Sequence, residues 1–536
     1  MKKNGTRSGA EALTESLEKA GTEVVFGYPG ANVLDVFDCL RDARFRFVLG
    51  RHEQGCVHMA DGYARASGRP GVVIVTSGPG LTNTITGLGC ANMDGVPLVL
   101  ICGQVDLGRI GTDAFQEADT TGLTRAVSKH NFLVKSADEI PETVAQAFYI
   151  ATHGKPGPVV IDLPRDIQEQ LTSARYPERI SLRAYHPECA PDPKDVALLA
   201  KWLNAARRPV IYAGGGVIAA DAAKDLVRLA HKAEIPVATT LMGIGAIDEA
   251  DPLALGMAGV YGTATARKAL ETADFILALG VRFNDRVTDG AKPRRGARIV
   301  HVDCDPASID KNVRVSLGIV ADVKDLLTVV ASRVRAAGRP GWLKELGLPK
   351  ALPPYRFGGA DAVMPQAVID AITKATKGHC LLATDVGQHQ MFAARRFPHA
   401  HPRHFITSGG MGAMGFGIPA AIGAAIARPD HKVVAVLGDG GAQMTAEELA
   451  VAVQLGLPIA FVVLNNRSLG MIAQMQRHPW SGGYTTPDFV ALAKAYGLKS
   501  FRVDSPARLD AGIARAVRMK SPVLVEVSVD PRATLP

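Results

Sequence analysis

The residues best placed to do chemistry lie between positions 438 and 471. Gly438-Asp439-Gly440 follows an apolar run, residues 433–437, that reads as a buried parallel strand. Its small residues would let a phosphate approach the backbone closely. Thr445 and Glu448 have the spacing of a capping box, which predicts a helix starting there with its first amides turned toward the loop. A second apolar run, 459–464, ends in Asn465-Asn466. The stretch 441–464 between Gly440 and Asn465 is long enough for a helix and a return strand. Asp439 and Asn466 are therefore expected side by side at the carboxyl ends of neighbouring strands, the edge where open α/β sheets bind ligands. A carboxylate, an amide oxygen and a spare backbone carbonyl suit a hard cation such as Mg2+ carrying a diphosphate. An ordinary strand–turn–helix explains Gly-Asp-Gly alone, but not Asn-Asn at this distance behind a second strand.

Positioning such residues takes a sheet, and the pattern for one occurs three times. Strand-like runs at 72–75, 98–101 and 159–163 alternate with helical stretches. The pattern resumes at 209–213, 275–280 and 298–303, and again from about residue 380. We expect three doubly wound α/β domains: residues 1–186, 190–337 and 361–536, with a proline-rich break at 187–193 and a linker at 338–360. Gly27-Tyr-Pro-Gly30 and Thr76-Ser-Gly-Pro-Gly80 read as turns at strand ends. Gly214-Gly215-Gly216 after a strand is a weak dinucleotide signal, since it lacks the Gly-x-Gly-x-x-Gly spacing. Asp303 closes a later strand, a position often read as a ribose neighbour.

Composition narrows the class. At 536 residues, 47% hydrophobic and 21% charged, the chain has the profile of a soluble globular protein. A net charge of +8 spread without a Lys/Arg block argues against nucleic acid. Seven cysteines with no Cys-x-x-Cys argue against a disulfide framework or a zinc site and fit a reducing cytoplasm. Neither a signal peptide nor a membrane-spanning segment is legible, so no membrane partner is expected.

Further segments carry a resemblance. Arg51-His52-Glu53-Gln54-Gly55, followed by His58-Met-Ala-Asp-Gly-Tyr-Ala-Arg65, Gly111-Thr-Asp-Ala-Phe-Gln-Glu117, Gly280 through Thr288, and the Gly-rich Thr407 through Gly415 join the 438–471 stretch. Together they resemble the acetohydroxyacid (acetolactate) synthase family of thiamin diphosphate enzymes, nearly end to end. The resemblance implies that Asp439, Asn466 and the Ser468 carbonyl hold magnesium. It assigns the thiamin cofactor to Pro79, Asn83, Val386, Gly387, Gln388, His389, Met414, Gly440, Gly441, Leu469, Gly470 and Met471. Glu53 would bond N1′ of the aminopyrimidine and so activate the cofactor, a role that calls for burial. FAD, structural rather than redox-active in that family, would be held by Lys155, Gly214, Gly215, Arg282, Asp303 and Asp322. Phe115, Val260 and Met475 would line the substrate pocket, Gln116 and Arg165 would border the acceptor, and Arg286 would bind its carboxylate. The implied reaction is carboligation: pyruvate loses carbon dioxide, and the two-carbon fragment joins a second 2-keto acid to give 2-acetolactate. A homodimer or homotetramer with shared sites and a regulatory subunit are further expectations.

Plainer readings stand beside these: Glu53 as a surface charge, Phe115 and Met414 as core, Arg286 as a salt bridge to Asp285. The sequence also departs from the family pattern. Lys155 stands for its usual arginine and Arg165 for its lysine, while Gly259-Val260-Tyr261-Gly262 replaces Gly-Met-His-Gly. Met475 and Phe392 stand where tryptophan is usual, Asp106 where proline is, and a longer C-terminal lid is expected than the sequence up to Pro536 contains. These departures motivate a second reading, another thiamin-dependent 2-keto acid decarboxylase, lyase or acyltransferase. A third, a flavin redox protein, would leave Glu53, Asp439 and Asn466 as accidents.

Overall fold

The computed structural model describes residues 5–180, 182–187, 190–347, 362–478 and 485–535. Three six-stranded parallel sheets form, each with helices on its faces. Their strands are the apolar runs of the sequence, and the central ones are buried along their whole length, as parallel strands covered on both sides must be.

The first sheet runs Arg46–Leu49, Val24–Tyr28, Gly71–Val75, Leu98–Gln104, Pro158–Pro164, His130–Leu133. The third runs Phe405–Ile406, Leu381–Thr384, Val433–Gly438, Ile459–Asn465, Val523–Ser528, Lys499–Val503. Taken in chain order, both follow the sequence 2-1-3-4-6-5, so the outer units share one topology. The middle sheet, Ala254–Met257, Val237–Thr239, Pro209–Ala213, Phe275–Leu279, Arg298–Asp303, Leu317–Val320, has the order 3-2-1-4-5-6 of dinucleotide-binding sheets.

Part of the expected linker belongs to the middle unit. Pro340–Leu346 is a helix with proline in its first turn, and Trp342 and Leu346 are buried in the core beneath the Pro209–Ala213 strand. Trp342 Nε1 donates to the Pro209 carbonyl (3.1 Å). Composition hid this helix because two buried side chains, rather than a long periodic face, hold it. Residues 348–360 of that expectation lie outside the described residues.

The outer units pack through helix Glu53–Ser67 against helix Gly417–Ala427, inside one continuous buried cluster. The backbones nearly touch. A Cβ on Gly423 would stand 1.8 Å from the Met59 carbonyl oxygen, so only glycine permits this approach.

Candidate active site

Strands Val433–Gly438 and Ile459–Asn465 are paired neighbours, with Gly438 opposite Leu464, and bring Asp439 and Asn466 to adjoining carboxyl ends as expected. Helix Asp439–Met444 starts directly at the strand end, with Gly438 as its N-cap. The capping box is corrected: Thr445 and Glu448 do not cap one another. Thr445 Oγ1 donates instead to the Gly415 carbonyl (2.8 Å), and the Glu448 carboxylate accepts the backbone N–H of Arg51 (3.1 Å) and of His52 (3.0 Å). A capping-box spacing thus serves one contact within the third unit, by Thr445, and one to the first unit, by Glu448, because a buried acid satisfies distant donors as readily as near ones.

Asp439, Gly440, Gly441, Asn466, Ser468, Leu469, Gly470 and Met471 line a cavity of about 770 Å3 together with Val386, Gly387, Gln388, His389 and Met414. The same cavity continues into the middle unit past Gly215, Val260, Arg282, Arg286, Asp303 and Asp322, and reaches Lys155 of the first. Gly440 N donates to Asp439 Oδ1 (2.9 Å) and Ser468 N to Asn466 Oδ1 (3.0 Å), which turns both side chains along the loop. Among the described residues no cluster of three or more His, Cys, Asp or Glu could hold a metal. A cation here would rest on one acid, one amide and a carbonyl, a donor set that suits Mg2+ with a diphosphate. Crowding by glycine supports a fitted cradle: a Cβ on Gly438 would come within 2.7 Å of His389 and one on Gly470 within 2.1 Å of Gln388 Oε1. His389 Nε2 is buried without a hydrogen-bond partner, and burial pushes the imidazole down to about 4, so a neutral ring nitrogen is on offer to a ligand.

Gly214 is not among the residues lining this cavity; a Cβ there would sit 2.0 Å from the Gly280 carbonyl oxygen, so the close approach of these two strand ends itself calls for glycine. Arg286 lines the cavity and pairs with Asp285 (3.8 Å) through an exposed side chain, so the local ion pair and an open guanidinium coexist. Asp303 is held by burial at about 6 and accepts from Asp305 N (2.9 Å).

A second group of expected residues gathers elsewhere, at the carboxyl end of the first sheet. Asn83 Nδ2 donates to Glu53 Oε2 (3.0 Å), and a Cβ on Gly80 would lie 3.6 Å from Glu53 Oε1. Pro79 opens the short helix before Asn83, and Gln116 packs its backbone on Gly78. Gln116 adopts φ 60, a left-handed conformation that costs a non-glycine residue about 1–3 kcal/mol and marks a constrained loop. Phe115 beside it is 83% exposed, so it is not core. Glu53 is half-buried in the single chain, short of the expected burial. Arg165 lies exposed, 3.5 Å from Glu169. None of Glu53, Pro79, Asn83, Phe115, Gln116 or Arg165 lines the cavity that holds Asp439. The candidate residues thus fall into two groups in the single chain.

Three positioning acids were missed. Besides Glu448, Asp385 is fully buried at the end of its strand and accepts from Val386 N (2.8 Å), Gly415 N (3.0 Å) and Gly417 N (2.9 Å). Burial raises it to about 6 against those donors. Asp94 is the third. An acid just past an apolar strand was the signal used for Asp439, and it would have found Asp385. Among the departures, Tyr261 donates its hydroxyl to Met471 sulfur (3.1 Å), tying the middle unit to helix Gly470–Met475, and Phe392 is buried in the cavity wall. The last described residues pack on that helix and on the start of helix Gln388–Arg396: Gln474 Nε2 donates to the Leu535 carbonyl (2.9 Å) and Gln388 Nε2 to that of Ala533 (3.3 Å).

Three family models match, one within each unit: Thiamine pyrophosphate enzyme, N-terminal TPP binding domain (residues 7–123), central domain (196–330) and C-terminal TPP binding domain (385–527). They define the class, a thiamine pyrophosphate enzyme. The chain is 43% identical to the acetolactate synthase large subunit of Haemophilus influenzae, covering 98% of this chain and 94% of that protein. It is 43% identical to the acetolactate synthase isozyme 3 large subunit of Escherichia coli (98% and 95% covered) and 41% identical to the mitochondrial catalytic subunit of Saccharomyces cerevisiae (98% and 81%). The chain belongs to the acetolactate synthase large-subunit family.

Proposed function

We propose that this chain catalyses acetolactate synthesis, decarboxylating pyruvate and joining the two-carbon fragment to a second 2-keto acid. The observation that carries the reading is the pair of oxygen donors, Asp439 and Asn466, at adjoining strand ends in a glycine-lined cavity shared by all three units. Asp439, Asn466 and the Ser468 carbonyl would hold Mg2+ and through it the diphosphate. Bound there, thiamin diphosphate supplies a nucleophilic carbon and an electron sink for decarboxylation. Asn83 fixes Glu53 Oε2, and Glu53 Oε1 would hold and pass the proton that activates the aminopyrimidine. Arg286 would bind the carboxylate of the second keto acid, a charged hydrogen bond worth about 1.5–3 kcal/mol. Phe115, Gln116, Val260, Met475 and Arg165 would shape the acceptor side.

Because Glu53 and Asp439 do not line one cavity in the single chain, we read a complete site as built from two copies, in a homodimer or a homotetramer made from it. FAD suits the crevice at Gly215, Arg282, Asp303 and Asp322, where the strand order of the middle sheet reverses. The relatives' names, large or catalytic subunit, support a small regulatory partner. Among the described residues no helix is long and apolar enough to cross a membrane, and we place the enzyme in the cytoplasm.

The test is pyruvate turnover with thiamin diphosphate and Mg2+, quantifying acetolactate and acetaldehyde. Acetolactate as the main product is expected. Acetaldehyde alone would show that the changes at Val260, Tyr261 and Met475 have moved the chemistry from ligation to decarboxylation.

A further inference from the structure

Asp94 ends helix Ile85–Asp94 of the first unit with a side chain fully shielded from solvent, and it is among the residues lining the cavity that holds Asp439. Its carboxylate gathers donors from all three units. Arg65 of the first unit reaches Oδ2 at 2.9 Å, and from the third unit Gly409 N reaches Oδ2 at 2.9 Å and Gly410 N reaches Oδ1 at 2.7 Å. Arg282 of the middle unit stands 3.6 Å from Oδ1 and also donates to the Met93 carbonyl. Asp61 completes the group by pairing with Arg65, so two buried acids face the buried Arg65 and the partly exposed Arg282.

Gly409 and Gly410 begin the loop that carries Met414. Asp385 holds the far end of that loop through Gly415 N and Gly417 N. The loop is therefore clamped by a carboxylate at each end, one from its own unit and one from the first. The near clamp is close-packed: a Cβ on Gly410 would fall 2.8 Å from Met93 Cβ and 2.9 Å from Asp94 Oδ1.

We propose that Asp94 is a positioning residue for cofactor binding, fixing the Met414 loop of the third unit and Arg282 of the middle unit to one point on the first. The proposal rests on the reading that this loop holds thiamin diphosphate. Removing the charge frees the loop's near end, which acts on the cofactor before it acts on pyruvate.

The experiment is calorimetric titration of the full-length protein with thiamin diphosphate in Mg2+, for wild type, Asp94→Asn and Gly410→Ala, with thermal unfolding of each protein before cofactor is added. Both variants should raise the dissociation constant about tenfold or more, the loss expected for one charged hydrogen bond. At saturating cofactor, kcat should fall while KM for pyruvate stays unchanged. Wild-type affinity in either folded variant overturns the proposal, as does a rise in KM with unchanged cofactor affinity. Should Asp94→Asn fail to fold, Gly410→Ala decides alone, because it displaces the loop and keeps the buried charge. A wild type that binds no thiamin diphosphate would overturn the underlying reading instead.

Discussion

Replacing Glu448 by glutamine tests how the third unit holds the turn before Glu53. The carboxyl is buried and accepts the N–H groups of Arg51 and His52, and burial pushes it from the ordinary 4.5 up to about 7. The folded protein therefore keeps this proton between pH 4.5 and 7, whereas the unfolded chain releases it. Folded protein binds more protons in that window, so the contribution of Glu448 to stability is full below it and is lost as pH rises through it. A gap of that size amounts to about 3 kcal/mol. Glutamine does not titrate, and its amide oxygen still accepts from the backbone. Urea unfolding of wild type and Glu448→Gln at about pH 5 and about pH 7.5 isolates the effect, since other groups titrate alike in both proteins. Relative to wild type, the variant should gain about 2.5 kcal/mol between the lower and the higher pH, slightly less than the full gap because each pH leaves one state partly titrated. An unchanged difference at the two pH values would refute the assignment of a buried, proton-holding Glu448.

Two further outcomes follow from packing. Gly423→Ala places a methyl 1.8 Å from the Met59 carbonyl oxygen, so the two outer units must separate. Stability should drop by about 1–3 kcal/mol, read as a lower urea midpoint. Met475 is 57% exposed beside the cavity, and Met475→Trp should shift acceptor preference toward 2-ketobutyrate over pyruvate. The shift expected from a more complementary apolar wall is about 1–3 kcal/mol, measured as the product ratio in a mixture of both acids.

The three sheets were legible because parallel strands buried on both faces must be apolar runs, and those runs alternate with helical periods. Asp439 and Asn466 were legible because a sheet converts sequence spacing into adjacency at strand ends. What escaped was set by contacts at long range. Glu448 looks local, three residues after Thr445, yet it satisfies Arg51 and His52 from another unit. Asp94 reads as the end of a helix, and only folding brings Gly409, Gly410 and Arg282 to it. The glycine run at 214–216 carries no sign of the Gly280 carbonyl that packs against Gly214. The helix Pro340–Leu346 was lost in a proline-rich stretch because only Trp342 and Leu346 are fully buried in it, with no long periodic face.

The central claim is that two half-sites from two copies make one active site, and subunit complementation tests it directly. Glu53→Gln and Asp439→Asn would be produced separately and together, with acetolactate measured in each case. Each variant alone should be nearly inactive. Random pairing of the two in equal amounts leaves one intact site in each mixed dimer, so the mixture should recover roughly a quarter of wild-type activity. No recovery from mixed dimers shown to have formed would contradict the account, because Glu53 and Asp439 would then not meet across the interface.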